Sequence, residues 1–500
     1  MTIQQTESEF LEYVKQNQAY GEALSVLFWD LRTGAPKKGV DQRSETIGVL
    51  SSELFRRTTS NEMGSFLEKL SSEDELSERS KLVLAECKKE YDLNRKIPQK
   101  DYERYVVLQS KAESVWEEAK EKQDYGMFQP YLAELVQYNK QFIELWGVKD
   151  GNPYNTLLDQ YEPGMTVNKL DELFTEVRNS IVPLVEEIAG ASKQPNSDLV
   201  RFHFPKENQK AYSLSVLKEL GYDFSKGRLD ETVHPFAIGI NRGDVRITTK
   251  YDESDFRTAL FGTIHECGHA IYEQNISIDL EGTPLADGTS MGIHESQSLF
   301  YENFIGRNPL FWKTHYPSLQ QAAGGALDSV GLDDFYFAVN ESKPSLIRIE
   351  ADELTYPLHI MIRYEIEKQL ITGNLDTKDL PEVWNSLYEE YLGVRPPHDG
   401  VGVLQDVHWS GGSFGYFPSY ALGLFYASQL HNAMEQALPF DELVEKGEFL
   451  PIREWLTTNV HQFGKTKKPL DVIQDATGEA LSAKYFIQHM SNKYRTLYNL

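Results

Sequence analysis

Helical periodicity dominates this chain. Between residues 7 and 31, Phe10, Val14, Leu24, Leu27, Phe28 and Leu31 recur with polar residues between them, the spacing of one apolar helix face. Residues 64–123 are charged, dotted with aromatics and nearly free of Gly and Pro, which predicts long helices facing solvent. Leu132, Leu135, Val136, Phe142, Ile143 and Trp146 form a further stripe over 130–147. Pro163-Gly164 breaks the pattern, and Asn168 is placed to cap the helix that follows. One stretch departs from helical spacing. Near 232–250, Val245 and Ile247 alternate with Asp244, Arg246 and Thr248, so the three polar side chains share one face of a short strand. That polar row either lines a cleft or is the solvated face of an edge strand with an Asp244–Arg246 pair. No repeat or low-complexity linker divides the chain. It is expected to be one large, mainly α-helical domain with a small β element.

Composition narrows the function classes. Of 500 residues, 40% are hydrophobic and 25% charged, as in globular proteins with a substantial core. Lys and Arg number 50 against 76 Asp and Glu, a net charge of −26. Such a surface repels nucleic acid and anionic membranes. No run approaches the roughly 18 apolar residues of a membrane span, which argues against an intramembrane protease, and the polar N-terminus has no signal-peptide pattern. Cys87 and Cys267 are isolated, so a disulfide framework is excluded and a reducing cytoplasm fits.

The chemistry concentrates in His265-Glu266-Cys267-Gly268-His269. Two histidines four apart on a helix project from one face and can meet one Zn²⁺ at roughly 2.0–2.1 Å. The glutamate between them can take a proton from a water on that metal. Phe256, Leu260, Ile264, Cys267 and Ile271 form the buried stripe of this helix, and Asp252 or Asp255 can cap it. Gly262 and Gly268 each weaken a helix by up to about 1 kcal/mol relative to Ala, so close packing is expected there. The plainer alternative is a pair of ordinary histidines on a buried helix. A catalytic zinc needs a third protein ligand. Glu295 is a candidate: it follows a loop, Gly282 to Gly288, that can reverse the chain into a second helix over 289–307. Its competitors are Glu273, Asp279, Glu281, Asp287 and Glu302.

Several stretches together resemble the Taq carboxypeptidase-type family of zinc metallocarboxypeptidases. They are His234-Pro235-Phe236, Asp244-Val245-Arg246-Ile247-Thr248, His265 to His269, His294-Glu295-Ser296-Gln297, Ile347-Arg348-Ile349-Glu350-Ala351-Asp352, and Gly402 through Gln405, Asp406 and His408 to Trp409. Trp29-Asp30, Gly415 to Tyr420 and Thr477-Gly478-Glu479 also match. The resemblance spans nearly the whole chain. It implies a mainly helical fold with a deep groove, similar to neurolysin and angiotensin-converting enzyme, with helices of about 1–150 roofing a catalytic core of about 150–500. It implies a homodimer that releases single C-terminal residues from peptides with broad specificity. By the same resemblance, one Zn²⁺ per subunit is held by His265, His269 and Glu295, other divalent ions being possible, and Glu266 is the catalytic residue.

The charged tetrahedral oxygen of peptide hydrolysis needs a donor besides the metal. Tyr420, Tyr416 and His408 are the candidates, against aromatic packing for the tyrosines and a ligand-holding role for the histidine. A C-terminal carboxylate suits the planar fork of an arginine, here Arg348 or Arg246. The alternative for Arg348 is a helical i,i+4 pair with Asp352. His234, extended before its proline, is placed at the cleft wall. Asp352, Gln405, Asp406, His294, Gln297 and Asp244 are expected to orient these groups. An oligoendopeptidase with the same zinc chemistry is the competing activity, and a helical scaffold with a structural zinc the non-enzymatic one. A structural site would need a fourth protein ligand, and Cys267 is expected to point along the apolar stripe instead.

Overall fold

The computed structural model describes residues 2–500. Helices build most of it, in two compact units each assembled from three separate segments. The first unit comprises Met1–Arg95, Asn196–Val339 and Leu430–Glu479; the second comprises Lys96–Pro195, Asn340–Gln429 and Ala480–Leu500.

In the first unit, helix Ile3–Thr33 begins at a capping box in which Thr2 and Gln5 exchange side chain to backbone hydrogen bonds of 3.3 and 3.0 Å. It buries Phe10, Tyr13, Val14 and Trp29, while Phe28 remains 39% exposed. The apolar stripe expected over 24–31 is therefore only partly covered; here the helix packs through Trp29, whose ring meets Phe236 edge-on at 5.6 Å. The charged stretch after residue 60 forms helices Asn61–Leu70 and Glu78–Lys96 and, already in the second unit, helix Gln99–Lys122. Each buries a narrow line, such as Leu108, Ala112 and Ala119 on the third.

Three strands, β1 (Leu229–Glu231), β2 (Ala237–Asn241) and β3 (Asp244–Thr249), form a sheet in the order β1-β3-β2. β1 runs parallel to β3 and β2 antiparallel. β3 is the middle strand, so the edge-strand alternative fails, although the Asp244–Arg246 pair it contained is present. Val245 and Ile247 are fully buried, and β3 packs on helix Phe256–Gln274, hereafter the motif helix. The opposite row is not uniformly solvated. The Thr248 hydroxyl is buried, accepting from Phe236 N at 2.7 Å and donating to Phe236 O.

In the second unit, helix Tyr125–Trp146 buries Leu132, Leu135, Val136, Phe142 and Ile143, as the periodicity predicts. Helix Val167–Ala189 is capped by Thr166, which accepts from Lys169 N at 3.4 Å. Asn168 lies inside the helix instead, because the turn at Gly164 (φ +87°) delivers an extended Thr166 to the capping position. Helix Tyr356–Thr372 is buried on nearly every side, His359, Arg363 and Glu367 included, which makes it the central helix of this unit.

Candidate metal centre

The motif helix starts at Asp255, whose carboxylate accepts from Arg257 N at 3.1 Å. Asp252 instead builds the preceding turn, accepting from Ser254 N at 2.8 Å. Phe256, Leu260, Ile264, Cys267 and Ile271 are buried as expected, each large aliphatic or aromatic side chain contributing on the order of 2 kcal/mol. His265 and His269 lie beside this stripe, one turn apart, with ring centroids 5.0 Å from each other. Burial pushes the Cys267 thiol well up, and Cys267 takes no place in the donor cluster.

The chain returns through the short helix Met291–Leu299, capped by Ser290, which accepts from Ile293 N at 3.1 Å. Gly268 is what lets the two helices touch. A Cβ there would stand 2.4 Å from Gln297 O and 2.6 Å from Ser298 Cα. At Gly262 a Cβ would meet nothing within 4 Å, so only one of the two expected close approaches is real. The crossing brings Glu295 to 3.9 Å from His265 Nε2 and 3.6 Å from His269 Nε2. One donor atom from each of His265, His269 and Glu295 lies within 4.8 Å of the others. Ligands at about 2.0–2.2 Å in tetrahedral geometry stand roughly 3.3–3.6 Å apart, so this donor set fits a divalent cation after small side-chain adjustments.

The outer nitrogens of both histidines are engaged. His265 Nδ1 lies 3.0 Å from Glu302 Oε2. Glu302 belongs to a π-helical turn, Phe300–Gly306, that continues the return helix; such turns are frequent at functional sites. Arg307 braces Glu302 with Nη2 at 3.0 Å and Nε at 3.3 Å. Burial pushes the Glu302 carboxyl up, but the His265 hydrogen bond and the Arg307 charge outweigh it and hold it at about 2. Burial likewise pulls the His265 imidazole down, but Glu302, Glu295 and Glu266 outweigh it and raise it to about 9, the signature of a cluster that favours a cation. His269 Nδ1 faces the His294 carbonyl at 3.0 Å, so the tautomer that donates there leaves Nε2 free as a ligand. His294 stands behind it, with Nδ1 2.7 Å from His269 Nδ1 and Nε2 2.8 Å from Glu273 Oε1.

Two competitors for the third ligand position, Glu302 and Glu273, thus occupy the layer behind it. Asp287 pairs with Lys465 at 2.6 Å, and Asp279 and Glu281 are exposed. Gln297 is fully buried and its Oε1 accepts from His461 Nε2 at 2.9 Å. Glu266 is 8% exposed, and burial raises its carboxyl to about 7.

Elsewhere in the first unit, Arg246 gives Nε and Nη2 to Asp244 at 2.7 and 2.6 Å. It lines an open cavity of about 470 Å³ with Trp29, Asp30, Arg43, Arg228 and Asp230. His234 is exposed in the bend between β1 and β2.

The second unit gathers the remaining candidates. Arg348 lies on a 3₁₀ turn, Arg348–Glu350, not on an α-helix. Its Nε donates to Asp406 at 2.9 Å, its Nη1 to the Tyr356 hydroxyl at 3.2 Å, and its backbone N–H to Gln405 Oε1 at 3.0 Å. Arg363 holds the other Asp406 oxygen through Nε and Nη2 at 2.7 and 2.6 Å. Burial pushes Asp406 up, but the two guanidinium charges hold it well below the usual carboxylate range. The i,i+4 alternative for Arg348 is not what forms. Asp352 accepts from the Ser342 and Thr355 hydroxyls, both at 2.8 Å, and from the N–H groups of Lys343, Leu354 and Thr355. His408 Nε2 is 3.3 Å from the Tyr420 hydroxyl, and burial depresses the imidazole to about 4, so it is neutral at pH 7. Tyr416 and Tyr420 are half-buried, their rings 5.1 Å apart and edge-on.

Arg363, Glu367, Tyr356 and Arg307 escaped the sequence analysis. A signal for two of them existed. His359, Arg363 and Glu367 recur every four residues along a helix that also carries Glu365, Lys368 and Gln369, and a polar line on a buried face is carried only where it is paired. For Arg307 and Tyr356 no such periodic signal exists.

A family model described as carboxypeptidase Taq (M32) metallopeptidase matches residues 9–494. The chain is 56% identical to carboxypeptidase 1 of Bacillus subtilis over 502 residues and 40% identical to thermostable carboxypeptidase 1 of Thermus thermophilus over 512 residues, covering 100% of each chain in both cases. Among solved structures it is similar to the M32 carboxypeptidase of Deinococcus radiodurans, with a TM-score of 0.96 at 33% identity, covering 99% of this chain and 100% of that one.

Proposed function

The chain belongs to the carboxypeptidase Taq (M32) metallopeptidase family, and on that premise we propose how its own side chains release the last residue of a peptide. It is a metallocarboxypeptidase. We assign His265, His269 and Glu295 as ligands of one zinc ion per subunit. The observation that carries this is the convergence of their donor atoms within 4.8 Å, beside Glu266. Bound there, the ion supplies Lewis acidity toward the scissile carbonyl and lowers the pKa of a water toward about 7.

Glu266 takes the proton of the attacking water and delivers it to the leaving amine. Its burial favours the protonated form, which helps it pass the proton on to the amine. Tyr420, Tyr416 and neutral His408 are the proposed donors to the developing oxyanion. We assign Arg348 as the anchor of the terminal carboxylate, with Arg246 second. Arg246 commits both arms of its fork to Asp244, whereas Arg348 spends Nε on Asp406 and Nη1 on Tyr356, keeping the Nη2 edge for a substrate. Gln405 and Asp406 hold Arg348, Asp352 holds the segment after it, and His294 and Gln297 hold the return helix. His234 is assigned to the cleft wall. The family resemblance extends the proposal to a cytoplasmic homodimer and to a single peptidase domain with a groove like that of neurolysin, its N-terminal helices limiting substrate length.

The test compares a peptide with its C-terminally amidated twin by mass spectrometry, before and after chelation and metal return. Stepwise loss from the C-terminus of the free acid only, restored by zinc, is the expected result. Equal cleavage of both peptides points to an oligoendopeptidase and ends the carboxylate-anchor assignment.

A further inference from the structure

The segment from Gly402 to Phe417 carries His408 and Tyr416 but contains no long helix or strand of its own. Four of its backbone carbonyls accept from one helix, Gln99–Lys122. Gln109 donates to Gly411 O at 2.6 Å, Trp116 to Leu404 O at 3.0 Å, Lys120 to Gln405 O at 2.8 Å and the Tyr105 hydroxyl to Gly412 O at 3.4 Å. A second fixation comes from the central helix of the unit. Glu367 is fully buried and uses both carboxylate oxygens. Oε1 accepts from the Trp409 indole at 2.7 Å, and Oε2 accepts from Gly415 N at 2.8 Å and the Tyr154 hydroxyl at 2.6 Å. Trp409 directly follows His408, and Gly415 directly precedes Tyr416. The two loop donors on this carboxylate are therefore the immediate chain neighbours of two candidate oxyanion donors.

We propose that Glu367 is a positioning residue of the carboxypeptidase reaction: its carboxylate clamps Trp409 and Gly415 and thereby sets where His408 and Tyr416 present their side chains. A buried carboxylate is costly unless fully hydrogen-bonded, and this one meets three neutral donors, none of which needs a charge for the fold alone. The backbone at Gly415 is also closely packed. It sits at φ +86°, and a Cβ on it would stand 2.8 Å from the Leu157 side chain. Burial raises the Glu367 carboxyl to about 7 against the pull of its donors, so assays are best run about one pH unit above that value, where the acceptor form dominates.

The inference rests on the roles proposed for His408 and Tyr416. Its test is Glu367→Gln, which keeps the volume but confronts either the indole or the Gly415 N–H with another donor. A misplacement of about 1 Å at a reacting group can cost on the order of a hundredfold. The expected result is a kcat at least about tenfold lower, KM within about threefold, and zinc content unchanged. Glu162→Gln is the structural control: Glu162 is equally buried and accepts from the Tyr426 hydroxyl at 2.7 Å, so its loss lowers Tm without moving kcat. Glu367→Gln with normal kcat would overturn the proposal, whatever its Tm. If that variant does not fold, Trp409→Phe decides, since it removes one loop donor alone: a kcat about fivefold lower or more supports the clamp, and an unchanged kcat overturns it. Failure of the underlying reading is separable, because His408→Ala and Tyr416→Phe would then both leave the wild-type kcat intact.

Discussion

On the proposed reading, Glu266 separates turnover from metal binding. Glu266→Gln preserves the donor set of His265, His269 and Glu295, so zinc stoichiometry should stay at the wild-type value while kcat falls by several orders of magnitude; normal hydrolysis by this variant ends the mechanism. Glu302 acts differently, through His265 Nδ1. Removing it in Glu302→Ala should weaken metal affinity by about 10–100-fold, measured by competition with a chromogenic chelator, with an unchanged affinity counting against the assignment. His461 gives a pH-dependent stability. Burial depresses it to about 3, whereas unfolded it titrates near about 6.5. The unfolded state therefore binds the extra proton between these values. The His461 contribution is fully present above about pH 6.5 and is lost as pH falls toward 3, at about 1.4 kcal/mol per pH unit. Urea unfolding at pH 7 and pH 5 should show the wild type losing about 2 kcal/mol relative to His461→Gln, and parallel losses would refute this.

At the scale of elements, the site depends on one helix crossing. Gly268→Ala places a methyl group 2.4 Å from Gln297 O, a backbone atom that cannot yield without moving the return helix. A loss of about 3 kcal/mol or more is expected, together with weaker metal binding, since Glu295 rides on that helix. Gly262→Ala on the same helix meets open space and should be neutral or stabilising by up to about 1 kcal/mol; similar Tm shifts for both variants would contradict the crossing argument. Sequence periodicity located the motif helix, its stripe and the helix that returns Glu295. It could not locate the π-helical turn at Phe300–Gly306, because that turn arises where packing against the motif helix outweighs regular i→i+4 bonding. For the same reason the linear chain carried Glu302 only as a competitor of Glu295 for the third ligand position.

At the scale of the whole molecule, the net charge of −26 sets a long-range field that draws cationic peptides and repels acidic ones. KM for a Lys- and Arg-rich peptide should rise with ionic strength, that for an Asp- and Glu-rich peptide should fall, and a neutral peptide should respond least; identical salt responses would remove steering from the account. Each compact unit is stitched from three distant segments. Contacts such as Tyr154 with Glu367 and Trp116 with Leu404, 213 and 288 residues apart, therefore join different segments of the second unit.

What the sequence by itself determined is whatever depends on local repeat. The helical period places His265 and His269 on one face with Glu266 beside them, and the alternation at Asp244–Thr248 makes a strand with Val245 and Ile247 inward. The motif order along the chain identified the family. The tertiary structure alone placed Glu302 and Glu273 behind the histidines, with Glu295 beside them. It alone paired Arg348 and Arg363 with Asp406, and tied the chain neighbours of His408 and Tyr416 to Glu367. Those outcomes depend on where helices cross and which charges must be neutralised once buried, and neither quantity has a period that a linear pattern can carry.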